Sequence, residues 1–450
     1  MLCFGGEPWW TRTSAPPNLL RLAWGAIMLR GRKVREGGWY VKKPYAHFDQ
    51  PLTFDIARAR VSDPAYVASR SYWPFIGFTD KKRRFRKKDG KPLVDEKKRP
   101  LRYCSHHDGY IHSFYAFNLS NKYESFIRSR GISDVVLAYR KGLGTNVKMA
   151  KAAFREIERR GSCCVIALDI ESFFDSIDHA VLKRNLCEVL SVERLSPDWF
   201  SVLKSMTRYS WVELEKLASR LKFDPEMAPR PLCTASEYRT LVRVPGSSLI
   251  EVNRKPYGIP QGSPISAVLS NIYMVQFDLT CHAYFTESGI YYRRYSDDII
   301  IICDASQLAD VNKFIDAEIA KLGPSMKIST DKTVISEFKE IASGGFVCDM
   351  PVTYLGFTFD GRRTALRART LSRYYRRMTY ATRAALRSAK RASSKQVYLR
   401  RLYRDLTHLG QQNFYSYVRK ASHTMDDFTP VRQLRRHFRI LHRKLKSRGR

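Results

Sequence analysis

Three aspartates stand where predicted strands end or begin, and charges in such positions need a chemical reason. Asp169 follows residues 163–168, an apolar run that is typical of a buried strand. Asp297 and Asp298 directly precede residues 299–303, which are entirely apolar. Each aspartate alone is also compatible with turn or cap chemistry. Together they predict one site with a concentrated negative charge.

Binding of divalent metal ions is the simplest way to offset the repulsion between clustered carboxylates. Carboxylates held close together repel each other, which raises their pKa values unless a cation offsets the charge. Mg²⁺ prefers a few carboxylates together with phosphate oxygens of a substrate. Two such ions, about 3.5–4 Å apart, stabilise the attacking and the leaving oxygen of a phosphoryl transfer. The three aspartates therefore predict two Mg²⁺ ions, which Mn²⁺ can replace.

The elements around these aspartates predict an α+β fold. Predicted strands, two of them a hairpin around Pro245-Gly246, are 163–168, 240–244, 249–252, 290–295, 299–303 and 353–359. Predicted helices are 108–129, 146–160, 178–190, 263–286 (with Ser263 as N-cap and Pro264 after it) and 310–322. A tight turn at 296–298 lets both neighbouring aspartates reach one site, which a flat strand forbids because its side chains alternate. The order of elements predicts an antiparallel sheet with helices on one face.

Positive charge is concentrated in two parts of the 450-residue chain. The chain has 79 Lys and Arg against 43 Asp and Glu, a net charge of +36. Residues 361–450 hold 26 of these basic residues and 3 acidic ones. Residues 81–102 hold 12 basic and 3 acidic residues around Asp89-Gly90, which predicts a type I′ hairpin arm. In the C-terminal part, arginines alternate with tyrosines, which suits phosphate neutralisation and base stacking. A nucleic-acid partner is therefore favoured over an ordinary solvated helix face.

Composition excludes several other classes of protein. With 44% hydrophobic and 12% aromatic residues, the chain is not mostly disordered. No window of 18 uncharged apolar residues is present, so no membrane span is expected. The start lacks the basic-then-apolar order of a secretory leader, and the nine cysteines show no metal-binding spacing. A reduced, cytoplasmic protein is expected, in which His106 and His107 are hydrogen-bonded scaffold residues rather than metal ligands.

Four motifs, in the same order, resemble those of reverse transcriptases. They are ALDIESFFDSID (167–178), YGIPQGSPISAVLSNIYM (257–274), RRYSDDIIII (293–302) and TYLGF (353–357). The resemblance implies a right-hand polymerase fold with fingers, palm and thumb. It also implies an RNA-directed DNA polymerase that uses an RNA template, a DNA primer and dNTPs.

Upstream segments resemble bacterial reverse transcriptases related to retrons, group II introns and abortive-infection proteins. The segment YAHFDQPL (45–52), with SHHD and AYRKG further on, looks most like the defence-associated members. This implies antiphage defence through cDNA made from a partner non-coding RNA. The expected domains are an N-terminal extension (1–35, with Met28 as a second plausible start), fingers (36–160), palm (161–360, with a helical insertion at 191–239) and a basic helical thumb (361–450).

The resemblance also implies a role for each motif residue. The metal ligands would be Asp169, Asp297, Asp298 and the carbonyl of Ile170. Nucleotide-binding residues would be Phe174, Gln261, Gly262, Arg99 and Lys332. Residues at the primer and template would be Tyr295, Ser296, Leu355 and Gly356. Phe174 matches the steric gate that excludes a ribose 2′-OH, Arg99 the triphosphate-binding arginine, and Lys332 the lysine near the leaving pyrophosphate.

Two other functions are compatible with the same sequence. Template-independent or protein-primed DNA synthesis needs a hydroxyl donor, and the chain has 25 tyrosines. A non-catalytic RNA-binding scaffold would share the basic charge, but it would not need the intact set of three aspartates.

Overall fold

The computed structural model describes residues 37–88, 91–225, 227–228, 230–342, 345–391 and 396–446. The predicted N-terminal extension and the turn residues Asp89-Gly90 lie outside these residues. The helices are α1 (Phe54–Val61), α2 (Pro64–Ser69), α3 (His106–Ser129), α4 (Asn146–Arg160), α5 (Phe173–Ser176), α6 (His179–Leu190), α7 (Pro197–Thr207), α8 (Leu214–Leu221), α9 (Ala235–Glu237), α10 (Ser266–Tyr273), α11 (Val275–Glu287), α12 (Leu308–Lys321), α13 (Ala368–Arg391), α14 (Leu399–Leu406), α15 (Phe414–Met425), α16 (Thr429–Arg432) and α17 (His437–Lys446). The strands are β1 (Phe75–Lys88), β2 (Lys91–Tyr103), β3 (Cys163–Asp169), β4 (Ser210–Glu213), β5 (Glu251–Val252), β6 (Tyr291–Tyr295), β7 (Asp298–Cys303), β8 (Val334–Glu340), β9 (Phe346–Cys348), β10 (Val352–Tyr354), β11 (Phe357–Phe359) and β12 (Thr364–Leu366).

A five-stranded antiparallel sheet, in the order β6-β7-β3-β8-β9, forms the central layer. Strand β3 lies between β7 and β8 and has no solvent face. Its side chains alternate between two hydrophobic cores, with Cys164, Ile166 and Leu168 in one and Cys163, Val165 and Ala167 in the other. This double burial explains why the sequence of β3 is continuously apolar instead of alternating.

Helices cover the first face of this sheet, as the sequence predicts for an α+β fold. Helices α6, α10, α11 and α12 contribute Leu182, Leu269, Phe277 and Ile315 to the first core. The second face is also covered, because α4 shares a core there with the small sheet β10-β11-β12 and the C-terminal helices. The rings of Phe154 and Phe359, for example, stack with centroids 5.0 Å apart. The central sheet therefore lies between two packed layers.

The basic arm is a hairpin, as predicted, with Lys88 opposite Lys91. The insertion, expected to be helical, contains α7 and α8 but also β4, which pairs in parallel with the start of β1. The predicted hairpin at 240–252 is wrong, because Tyr238–Val242 is a π-helical turn and β5 pairs with β4. Thr234 starts that helical stretch through a capping box with Glu237. The hydrogen bonds of this capping box outweigh the strand propensity of the β-branched residues that follow. The hairpin sheet has the order β2-β1-β4-β5.

Two other predicted elements are divided. The long helix at 263–286 consists of α10 and α11, and Ser263 is not an N-cap, because its hydroxyl pairs with His112 Nδ1 at 3.0 Å. The predicted strand at 353–359 is the β10–β11 hairpin, because Leu355 and Gly356 have φ angles of 46° and 95°. Strand β8 has no counterpart in the sequence prediction.

Helices α13 to α17 form a basic bundle at the C-terminal end, as predicted from its helical pattern. Its core includes Tyr374, Met378, Leu402, Phe414 and Val418. Lys151 and Arg155 of α4 pair with Asp426 of the bundle. In the part of the chain that the structure describes, no helix combines the length and apolar character that crossing a membrane requires.

Candidate active site

The three predicted aspartates meet at one end of the central sheet. Asp169 ends β3 and Asp298 begins β7, directly opposite it in antiparallel register. Such register places their Cα atoms roughly 4.5–5.5 Å apart. The Ile170 N–H donates to the Asp297 carbonyl at 3.1 Å. All four residues predicted to bind metal thus lie on two neighbouring chain segments.

A two-residue turn of Ser296 and Asp297 joins β6 to β7, since Tyr295 pairs with Asp298. Ser296 has a φ of 59°, a left-handed conformation that is uncommon for a residue other than glycine. It is buried, and its hydroxyl donates to Tyr139 Oη at 3.3 Å. The turn gives Asp297 a direction that a flat strand would not allow.

A buried ion pair supports this turn. Arg294 donates from Nε and Nη2 to the two carboxylate oxygens of Asp278, at 2.8 and 2.5 Å, and both side chains are 0% exposed. Arg294 Nη1 also donates to the Ser296 carbonyl at 3.1 Å. This pair was not predicted from the sequence. The feature of the sequence that indicates a buried charge is that Asp278 is the sole carboxylate in the largely apolar segment 266–286.

Burial and like charges both raise the pKa values of the carboxylates at the strand ends. Burial, followed by the charge of Asp169, raises the pKa of Asp297 above its usual value. Burial, followed by the charges of Asp297 and Asp169, raises the pKa of Asp298 to about 7. Lys332 opposes both effects, but it does not cancel them. The basic residues around Asp297 and Asp298 therefore offset only part of the effects of burial and like charge on these two carboxylates.

Lys332 makes a direct contact with this cluster, since its Nζ donates to Oδ2 of Asp169. A tight turn places it there: the Ser329 N–H donates to the Asp169 carbonyl at 2.8 Å, and the Lys332 N–H donates to the Ser329 carbonyl at 3.1 Å. The lysine predicted near the pyrophosphate is thus brought to the aspartates.

The donor set at the strand ends suits a divalent metal ion, because carboxylate and carbonyl oxygens are hard ligands. The incomplete charge compensation of Asp297 and Asp298 favours a bound cation in the same way. Among the residues that the structure describes, no three His, Cys, Asp or Glu side chains are grouped closely enough to hold a metal ion. One oxygen of the Asp169 carboxylate is instead paired with Lys332.

Two arginines from other elements contribute positive charge. Arg99 of β2, a predicted nucleotide-binding residue, lowers the pKa of Asp297 and opposes the effect of burial. Arg367, which follows β12, acts on Asp298 in the same direction. The Arg367 N–H donates to the Gly356 carbonyl at 3.1 Å. Arg367 was not predicted, because nothing in its basic surroundings distinguishes it from its neighbours.

The two phenylalanines that follow Asp169 have different surroundings. Phe173 is buried in the first core, whereas Phe174 is half-buried and packs against that core. The ring centroids of Phe173 and Phe174 are 5.5 Å apart. Burial raises the pKa of Asp175, and the charges of Arg102 and Lys255 oppose that rise. Phe174 therefore has a partly open ring, and the carboxylate of the next residue faces basic side chains.

Gln261 and Gly262 are attached to the base of the basic hairpin. The Arg102 N–H donates to the Gln261 carbonyl at 2.8 Å. Gly262 has a φ of 121°, and a Cβ atom there would lie 2.4 Å from the Arg102 carbonyl oxygen. The main chain of strand β2 therefore lies so close to position 262 that only glycine fits there.

Replacing Gly262 by alanine should destabilise the protein by about 2–5 kcal/mol, because the methyl group combines backbone strain with a clash against main chain. Gly289→Ala is the matched control. Gly289 also has a positive φ, 66°, but a Cβ there has nothing within 4 Å, so about 1–2 kcal/mol is expected. Urea unfolding of both variants measures the difference, and equal losses would contradict the contact with β2.

The predicted primer and template residues lie near Asp298. Tyr295 is the register partner of Asp298 in the β6–β7 pair. Burial, followed by the charges of Tyr291 and Asp298, raises the pKa of the Tyr354 hydroxyl, so Tyr354 also lies close to Asp298. Tyr354 leads into the Leu355–Gly356 turn, whose Leu355 carbonyl accepts from Asn146 Nδ2 at 3.1 Å. The turn is therefore held at the carboxylate end of the sheet.

Three histidines of α3 lie in hydrogen-bonded surroundings, and the expectation that His106 and His107 are not metal ligands stays a prediction. The N–H groups of these two residues donate to the carboxylate of Asp49, each at 2.9 Å. The buried His112 was not singled out, and it links Ser205 to Ser263 at 2.9 and 3.0 Å. This link holds the segment of Gln261 and Gly262 against α3 and α7.

Residues 86–359 match the family described as reverse transcriptase (RNA-dependent DNA polymerase). The match covers more than half of the chain and includes all three aspartates, so the chain belongs to the reverse transcriptase family. The right-hand α+β fold expected from the motifs is confirmed. No curated protein sequence matches the chain.

Solved telomerase structures are similar to this chain at low identity. Apo telomerase from Candida tropicalis without its C-terminal domain is 14% identical over 62% of this chain and 53% of its own, with a TM-score of 0.40. The apo telomerase with that domain is 14% identical over 87% and 64%, also at 0.40. Telomerase from Candida albicans with a fragment of telomeric RNA is 12% identical over 88% and 64%, at 0.39. The chain thus spans about half to two thirds of their length.

Proposed function

We propose that this protein is an RNA-templated DNA polymerase that extends a DNA primer with dNTPs. The observation that carries the proposal is the placement of Asp169 opposite Asp298, with Asp297 beside them, in a chain of the reverse transcriptase family. In the proposed reaction, a primer 3′-oxygen attacks the α-phosphate of a dNTP, and pyrophosphate leaves. The protein supplies positioning and charge compensation, which are the main needs of phosphoryl transfer.

Two Mg²⁺ ions would be held by Asp169, Asp297, Asp298 and the Ile170 carbonyl, with Mn²⁺ as a substitute. When bound, they stabilise negative charge on the attacking and leaving oxygens. Lys332, which contacts Asp169 in the structure, would donate a proton to the leaving pyrophosphate. These roles extend the family's general use of divalent metal to particular residues of this chain.

The remaining predicted residues have complementary roles around the nucleotide. Arg99, already on the side of Asp297, would hold the triphosphate through its forked guanidinium group. Gln261 and Gly262 would form the surface below the nucleotide and template. Tyr295, Ser296 and the turn of Leu355 and Gly356 would contact the primer end.

Primer extension tests the proposal. A DNA primer annealed to an RNA template should be extended by complementary dNTPs in the presence of Mg²⁺, and chelation of the metal should stop the reaction. Omission of the template provides the control. Extension that is equally efficient without a template would favour the terminal-transferase alternative and contradict the proposal.

Phe174→Ala should lower the preference for dNTPs over rNTPs roughly tenfold or more, because the ring no longer occupies the space of a 2′-hydroxyl group. Phe174→Tyr, which keeps the ring, is the control and should retain discrimination. Single-nucleotide incorporation with matched dNTP and rNTP measures the preference. An unchanged ratio in Phe174→Ala would remove the gate role without affecting the assignment of the aspartates.

We further propose that the template is a partner non-coding RNA and that the cDNA serves bacterial antiphage defence in the cytoplasm. Support comes from the resemblance of 45–52 and the fingers segments to defence-associated members. In the structure this segment packs against the start of α3, since the Tyr45 hydroxyl donates to the Cys104 carbonyl at 2.9 Å and His106 Nε2 donates to the Tyr45 carbonyl at 3.1 Å. Sequencing of co-purified RNA and DNA, with and without phage, should show one enriched RNA and its complement. A random sample of host RNA would contradict this proposal.

A further inference from the structure

A groove of about 490 Å³ lies on the C-terminal bundle, between α13, the α16–α17 segment and the loop before β12. Its lining residues are Arg363, Tyr375, Thr429, Arg432, Gln433, Arg435, Arg436 and Ile440. All four arginines are exposed, whereas Tyr375 is half-buried. The groove is therefore an open, strongly basic surface with one aromatic ring.

The lining side chains of the groove supply four positive charges and no negative charge. Its lining contains no acidic residue, and none of its arginines forms an ion pair with the acidic residues that the structure describes. The neighbouring Asp427 already accepts from the N–H groups of Thr364 and Thr429, at 2.6 and 2.7 Å. Gln433 Oε1 accepts from the Leu366 N–H at 2.8 Å, which leaves its NH₂ group as a donor. A matching ligand must supply acceptors and repeated negative charge.

The groove and the carboxylate site are lined by different residues, since none of the predicted site residues lines the groove. Strand β12 connects the two, because Arg363 precedes it and Arg367, which acts on Asp298, follows it. Four residues of extended chain span at most roughly 13 Å, so the two sites belong to neighbouring parts of the molecule.

We infer that this groove binds the phosphodiester backbone of a single-stranded nucleic acid, namely RNA outside the part that is being copied. Arginine forks match phosphate geometry, and the partly exposed side chain of Tyr375 lines the same groove, as in single-strand sites that combine basic and aromatic residues. The choice of RNA rests on the proposed function. Single-stranded DNA product has the same backbone chemistry, so the experiment compares both strands.

The test compares Arg432→Gln/Arg435→Gln/Arg436→Gln with the unmodified full chain. Binding of a fluorescent, unstructured 20-nucleotide RNA and of DNA of the same sequence is measured by anisotropy from 50 to 300 mM KCl. Loss of three single-strand phosphate contacts should reduce the slope of log K against log salt by about 2, and should weaken RNA binding roughly 50-fold at 0.15 M salt. The corresponding triple lysine variant, which keeps the charges, should recover most of the affinity and also show that the fold tolerates the changes.

A control with the same charge change is Arg58→Gln/Arg128→Gln/Arg194→Gln, whose three arginines are exposed on other elements. It should retain most of the RNA affinity. The inference is overturned if this control loses as much as the groove variant, if the groove variant keeps its RNA affinity and salt slope, or if only DNA binding is lost.

Single-turnover extension of a pre-annealed primer–template separates this inference from the proposed polymerase function. The groove variant should extend at the unmodified rate, because none of its residues belongs to the proposed catalytic set. Extension lost together with RNA binding would assign the groove to the catalytic cleft and overturn the inference. Unchanged RNA binding with normal extension would overturn it while leaving the polymerase proposal intact.

Discussion

Asp297→Asn combined with Asp298→Asn should abolish primer extension, with a loss of at least roughly a thousandfold, and should leave RNA affinity almost unchanged. Both substitutions keep the size of the side chain but remove the charges that would hold two metal ions. Bound metal ions lower the free energy of the transition state by several kcal/mol. RNA binding depends on basic surfaces elsewhere and should persist. Extension and anisotropy on the same protein preparation measure the two properties.

The same double variant should be at least as stable as the unmodified protein in metal-free buffer at pH 8. Burial and mutual repulsion raise the pKa of Asp298 to about 7, above its unfolded value. Such a group favours the folded state when protonated, so the protein loses stability as the pH rises from the unfolded pKa to about 7, and the loss is complete at pH 8. Asparagine removes that effect. Asp310→Asn/Asp316→Asn, on the exposed face of α12, is the control and should alter neither extension nor pH dependence. Residual dNTP incorporation by the active-site variant would show that the assigned site is wrong.

Arg294→Leu should cost about 3–5 kcal/mol of folding free energy, because it leaves the buried carboxylate of Asp278 without its partner. Extension should fall as well, since the Ser296 carbonyl loses the donor that supports the aspartate turn. Arg293→Leu is the matched control one residue away. Arg293 is half-buried, packs over the Tyr291 ring at 4.5 Å and should cost less than about 1 kcal/mol. Urea unfolding in the presence of a chelator measures both values.

A double variant separates the stability role of this pair from its positioning role. Asp278→Leu/Arg294→Leu replaces both buried charges by apolar groups, which is often neutral for stability. We expect much of the lost stability to return, whereas extension should stay low because the turn still lacks its donor. Full recovery of extension together with stability would contradict a positioning role for Arg294.

Local patterns were sufficient to predict the elements that carry the chemistry. Three elements were predicted from local rules of burial or turn formation: the strand before Asp169, the strand after Asp298 and the basic hairpin. The structure contains all three elements. Longer patterns were less informative. Residues 240–244 have the composition of a strand, but the capping box at Thr234 continues a helical turn into them, because local hydrogen bonds outweigh β propensity there.

The amino-acid sequence alone determined the family, the α+β class and the aspartates at the strand ends, because burial period, turn residues and motif order are local properties of the chain. Tertiary structure decided which distant segments meet. It placed Arg367 near Asp298, buried Asp278 with Arg294, brought the Arg102 carbonyl to Gly262 and grouped four arginines around one groove. These contacts join residues that are far apart in the chain or in separate elements. They depend on how sheets and helices pack, which no local pattern specifies.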